Sequence, residues 1–82
     1  MSYSLKWYKN AEKYLESLPR HIIKRILEKF DLIKEEPFRF LEHYEGKGYK
    51  FRIGDYRAII DVDFENKILH VLLFDNRGRV YK

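Results

Sequence analysis

The chain has no Cys, no Gln and no Thr, and only two Pro, four Gly and one Met in 82 residues. Without Cys, a disulfide staple, a zinc–thiolate centre and a thiol nucleophile are all excluded, and the absence fits a reducing compartment. No run approaches the roughly 18 apolar residues of a membrane span. No cationic-then-apolar leader of the secretory kind opens the chain either, so a cytoplasmic location with no membrane partner is expected. The lack of Gln and Thr, beside abundant Lys, Glu and Ile, leans towards the composition of thermophilic proteins. Gly46 and Gly48 are too isolated for a phosphate-cradling loop. Ser2, Ser4 and Ser17 have no His–Asp arrangement around them, and His21, His43 and His70 lack metal-ligand spacing. No metal or other cofactor is therefore expected.

What is present is aromatic and basic. Seven Tyr, six Phe and one Trp supply much of the burial available to so short a chain, and a 45% hydrophobic content is that of a folded domain. One domain covering 1–82 is expected. The net charge is +4 and unevenly placed. Residues 1–46 hold nine Lys/Arg against eight Asp/Glu, whereas residues 47–82 hold eight against five. A positive balance concentrated in the second half suggests an anionic partner, nucleic acid first among them. Solubility alone would also account for it.

Tyr3, Leu5 and Trp7 alternate with polar neighbours, which predicts a half-buried first strand. Asn10 is placed to cap a following helix that carries Ala11, Tyr14, Leu15 and Leu18 at helical spacing. Pro19 stops that helix and starts the next. Ile22, Ile23, Ile26, Leu27, Phe30 and Ile33 form an apolar stripe, with Lys24, Arg25, Glu28 and Lys29 facing water. These helices look like the back of a core and not a cofactor site. Pro37 ends the run, and Phe38 to Lys47 shows no period and reads as a loop.

The remainder reads as strands. Tyr49, Phe51 and Ile53 alternate with Lys50 and Arg52, and Gly54–Asp55 is a two-residue hairpin signal in which Gly supplies the positive φ of a type II′ turn. Tyr56 to Asp63 returns, Glu65–Asn66 turns again, and Ile68 to Phe74 is apolar enough for the sheet centre. Gly78 breaks the chain before a final segment from Arg79 to Lys82. The expected fold is α+β: an N-terminal strand, a helical hairpin, then an antiparallel meander, one twisted sheet with helices on one face.

The hairpin fixes a register. Ile53 lies opposite Tyr56, Arg52 opposite Arg57, Phe51 opposite Ala58 and Lys50 opposite Ile59. Alternation then puts Tyr49, Phe51, Ile53, Tyr56, Ala58 and Ile60 on the core face and Lys50, Arg52 and Arg57 on the other. Like charges directly opposed on neighbouring strands destabilise a sheet. An anion would explain them, since the Arg fork matches phosphate; fanning into solvent, or pairing with Asp61, Asp63 or Asp75, would equally relieve them. Arg77 follows the apolar strand and can project towards the same face. Tyr81 offers a hydroxyl or a ring for base stacking, although a residue so near the terminus is often frayed. His43 is a candidate base should its loop approach the basic face.

At these residues the chain resembles the RelE/ParE superfamily of toxins from type II toxin–antitoxin systems, closest in look to compact archaeal RelE proteins. The matching parts are the helical hairpin with its Leu18-Pro19 break, the segment from Tyr49 to Arg57 (YKFRIGDYR), and the ending from Arg77 to Lys82 (RGRVYK). The resemblance implies a metal-independent mRNA endonuclease acting in the ribosomal A site and held by a RelB-type antitoxin. It implies that Arg57 and Arg77 bind phosphate, that Lys50 and Arg52 bind phosphate or activate the 2′-OH, and that Tyr81 stacks on a base or transfers a proton. Lys47, Arg79 and Lys82 would add contacts to RNA. One departure stands out: bacterial RelE proteins carry a catalytic Arg where a gapless match here gives Asp75, and Arg77, two residues on, is expected to replace it. The same fold hosts ParE-like inhibitors of DNA gyrase, which lack the nuclease residues, and a non-catalytic RNA-binding domain is a third possibility. Retention of Lys50, Arg52, Arg57 and Tyr81 favours the nuclease branch.

Overall fold

A computed structural model describes residues 2–46 and 48–76. Strand β1 (Ser4–Trp7) leads into helices α1 (Lys9–Glu16) and α2 (Arg20–Glu35) and a single helical turn, α3 (Pro37–Phe40). Strands β2 (Glu42–Glu45), β3 (Gly48–Ile53), β4 (Tyr56–Asp63) and β5 (Ile68–Asn76) follow. They form one sheet in the order β1-β5-β4-β3-β2. The expected α+β architecture is therefore present, helical hairpin and meander included. The middle strand is β4; β5, expected at the centre, lies between β4 and β1, to which it runs parallel.

The helices pack on one face of this sheet through aromatic rings. Phe30 of α2 is fully buried, with its ring centroid 4.8 Å from Trp7 of β1, 5.2 Å from Phe51 of β3 and 6.2 Å from Phe74 of β5. Ile26 and Ile33 flank it on α2, Ala11 and Leu15 come from α1, and Ala58, Ile60, Val62, Leu69 and Val71 form the sheet side. Leu27 was expected in the stripe but is 40% exposed. It lines an open groove between α1 and α2 with Glu12, Leu15, Glu16 and Ile23.

Two local expectations are corrected. Asn10 does not cap α1: the helix begins at Lys9, its N-cap is Tyr8, and no side chain caps it. The backbone N–H of Tyr8 donates to the Val71 carbonyl at 2.9 Å, so sheet pairing decides where extended backbone ends, and Asn10 falls inside the first turn. The stretch from Phe38 also contains more than a loop, since its first half completes α3 and Glu42–Glu45 pairs antiparallel with β3. A register shift between His43 and Glu45 bends this edge strand. Gly48 accommodates the bend, because a Cβ there would sit 2.9 Å from the Glu45 carbonyl oxygen.

Candidate nucleic-acid interface

The β3–β4 hairpin has the register expected of it: Ile53↔Tyr56, Arg52↔Arg57, Phe51↔Ala58 and Lys50↔Ile59. Gly54 has φ +57° while Asp55 stays at negative φ, the type II′ pattern. A two-residue turn of that kind permits no slip. Phe51, Ala58 and Ile60 consequently face the helices and are buried, while Lys50, Arg52 and Arg57 stand on the helix-free face.

The opposed arginines do not stand alone. Each turns to a carboxylate on its other side. The Arg52 guanidinium lies 3.4 Å from Glu42 of β2, both side chains about half exposed. Arg57 Nε donates to Asp75 Oδ1 of β5 at 3.1 Å, with side chains 26% and 28% exposed. A row that reads acid, base, base, acid (Glu42, Arg52, Arg57, Asp75) thus crosses four strands, with Glu42 reaching Arg52 diagonally because its register partner is Lys50. The repulsion expected of the arginine pair is relieved in part by neighbours, and pairing with Asp75 is the relief that the sequence allowed for. Lys50 has no carboxylate in ion-pair range among the described residues; its ammonium lies 6.0 Å from the Tyr44 ring centroid. Beside Lys50 and Arg57, Ile59 and Leu73 oppose one another and leave an apolar spot on the same face. The surface offers cations for phosphate next to an apolar rest.

His43 does not join this face. It pairs with Tyr49, whose side chain lies on the helix side, and the two rings pack edge to face at 5.3 Å. Its Nε2 is 2.9 Å from the Gly46 carbonyl oxygen. Because His43 is one residue from Glu42 on a strand, it must face away from Lys50 and Arg52. His70 is on the open face but towards the far end, opposite Asp61 and edge-on to Tyr8 at 6.4 Å. Among the described residues no His, Asp and Glu cluster has the makings of a metal site. Lys47, Arg77, Arg79, Tyr81 and Lys82 lie outside the described residues, as does the final segment after Gly78.

Glu42 and Asp75 are the members of the row that were not assigned to the site from sequence. Glu42 lies in a stretch without periodicity, so nothing marks it as a strand residue within reach of Arg52. Asp75 was one of three acids available to the arginines, and only its strand register selects it.

The model of the ParE toxin family of type II toxin–antitoxin systems matches residues 5–81. The chain belongs to the RelE/ParE superfamily. Among solved structures, a chain of the archaeal RelE–RelB complex from Pyrococcus horikoshii is similar at 34% identity and TM-score 0.78, over 96% of this chain and 99% of that one. A chain of the RelBE2 toxin–antitoxin complex from Mycobacterium tuberculosis gives 25% identity and TM-score 0.83, over 94% and 100%. The isolated RelE toxin of Escherichia coli shares the fold at 21% identity and TM-score 0.78, over 98% and 92%. No curated protein sequence matches significantly. As a RelE/ParE toxin, the chain carries Lys50, Arg52 and Arg57 on the sheet face opposite the helical hairpin, and no helix among the described residues is long and apolar enough to cross a membrane.

Proposed function

We propose that this RelE/ParE toxin is a cytoplasmic, ribosome-dependent mRNA endonuclease. The observation that carries the reading is the Lys50, Arg52 and Arg57 cluster, held on one open face by a hairpin whose register admits no alternative. In the reaction the ribose 2′-oxygen bonds to the adjacent phosphorus, its proton passes to a base, the bond from phosphorus to the 5′-oxygen breaks, and an acid protonates that oxygen. A 5′-OH end is released. Negative charge gathers on the phosphorane, where fixed guanidinium groups act most strongly. Arg57, with Arg77, is assigned to that phosphate. Lys50, with no carboxylate partner among the described residues, and Arg52 serve phosphate binding or 2′-OH activation, and Tyr81 serves base stacking or proton transfer. Lys47, Arg79 and Lys82 are assigned to further RNA contacts. A RelB-type antitoxin, as in the Pyrococcus and Mycobacterium complexes, would hold the toxin in check.

The test is cleavage of mRNA on programmed ribosomes, mapped by primer extension. New 5′ ends within codons are expected, lost on triple Ala replacement of Lys50, Arg57 and Arg77. Toxicity that survives those replacements in a folded protein would overturn the reading. The match to the ParE family model favours a second one, inhibition of DNA gyrase. It predicts DNA-damage signalling with mRNA intact.

A further inference from the structure

Asp75 owes its place to a β-bulge. Along β5, Leu69 pairs with Val62 and Val71 with Ile60, but the next pairs are Leu73 with Ile59 and Phe74 with Ala58. Leu72 is the extra residue. One inserted residue reverses the phase of everything after it. Without the bulge, Phe74 would point to the open face, while Leu73 and Asp75 would point at the helices. With it, Phe74 is 2% exposed in the core and Asp75 stands directly across from Arg57. The one insertion therefore has two products: it seats Phe74 in the core and it turns Asp75 outward.

The contact made there is specific. Asp75 accepts from Nε of Arg57, and no other polar partner of Arg57 is found among the described residues. A guanidinium is a rigid plane, so a bond at Nε sets the direction of the fork and leaves its two terminal nitrogens unengaged. We propose that Asp75 is a positioning residue that aims the Arg57 fork at an RNA phosphate. The proposal rests on the ribonuclease reading. Asp75 also brings a negative charge beside the incoming anion. Its removal therefore has two opposed effects: the phosphate is bound more tightly, and the transition state is served less well because the fork is no longer aimed. A purely structural carboxylate would show the first effect without the second.

Asp75→Ala, Asp75→Asn, Arg57→Ala and the Arg57→Ala/Asp75→Ala double variant test this, with folding checked by circular dichroism. Single-turnover mRNA cleavage on ribosomes gives the rate, and an RNA oligonucleotide with a 2′-deoxy at the cleavage position gives affinity. Asp75→Ala is expected to lower the rate about tenfold or more, as misaimed groups do. It should also tighten RNA binding about two- to fivefold, the scale of one partly shielded charge pair. Asp75→Asn keeps an acceptor oxygen and loses the charge. It should hold the rate within about threefold, a factor worth well under 1 kcal/mol, and still tighten binding; being nearly isosteric, it carries the test if the Ala variant fails to fold. In the Arg57→Ala background, Asp75→Ala should slow the residual rate no further. If Arg57→Ala cleaves like the parent, the ribonuclease site itself is wrong. If Arg57→Ala is impaired but folded Asp75→Ala keeps the parent rate, the positioning role alone is wrong. An equal loss with and without Arg57 would likewise overturn it.

Discussion

Replacing Arg52 by Thr separates the needs of the fold from those of a ligand. Arg52 and Arg57 are directly opposed on adjacent strands, and like charges so placed cost roughly 0.2–1 kcal/mol. Against this, Arg52 has Glu42 at 3.4 Å, with side chains 46% and 58% exposed. An exposed pair contributes about 0–1 kcal/mol, and the long separation puts this one at the low end. Thr also suits a strand, being β-branched. The two electrostatic effects nearly cancel, so the variant should be as stable as the parent or up to about 1 kcal/mol more stable. For a domain this small, that gain would raise Tm by roughly 4–8 °C. Urea denaturation with a fixed m-value measures it, and ribosomal mRNA cleavage run in parallel should fall at least about tenfold, as when an anion-stabilising donor is lost. A stability loss beyond about 1.5 kcal/mol would make Arg52 a structural residue and refute the anion-site reasoning. Unchanged cleavage would remove Arg52 from the site.

Two further outcomes test the frame around the site. Phe30→Ala empties the one position that touches Trp7, Phe51 and Phe74 together, and should cost about 3–5 kcal/mol in chemical denaturation. That is a large part of the roughly 4–12 kcal/mol expected of a domain this size; a cost below about 1.5 kcal/mol would mean that Phe30 is not the centre of the core. Asp63 accepts from the Asn66 side-chain amide at 3.0 Å and its backbone N–H at 3.1 Å, and these bonds, the side-chain one foremost, hold its carboxyl below the ordinary 3.8. A depressed folded value means that its contribution is present above the unfolded value and is lost as pH falls through the folded one. Carbon-detected NMR titration should place the Asp63 midpoint below 3.8, and Asn66→Ala should raise it; a midpoint at or above the ordinary value would contradict the turn geometry.

The parts of the site legible in the sequence are those that local rules govern. Gly54–Asp55 names a two-residue turn, and a period of two then assigns every residue from Tyr49 to Ile60 to a face. The same rule brings Arg52 and Arg57 face to face. The helical stripe was legible for the same reason, apart from Leu27, which lines an open groove between α1 and α2. Phe38 to Lys47 was not legible. Its residues show no alternation because β2 is an edge strand, exposed on both faces, and pairing with β3 makes it a strand. His43 was misjudged with it, since facing requires a register and a loop has none.

The amino-acid sequence by itself determined the α+β order of elements, the hairpin register and a cationic open face, because turn chemistry and side-chain period act over a few residues. Tertiary structure decided the parallel pairing of β1 with β5, the central position of β4, the strand at Glu42 and the bulge at Leu72. Each of these joins segments distant in the chain, where hydrogen-bonding partners are chosen by packing and not by neighbours. The bulge shows the difference most directly. Four apolar residues from Val71 to Phe74 carry no local mark of which one will be the extra residue; the fit of Phe74 against Phe30, Tyr14 and Trp7 selects it, and Asp75 is thereby turned to face Arg57.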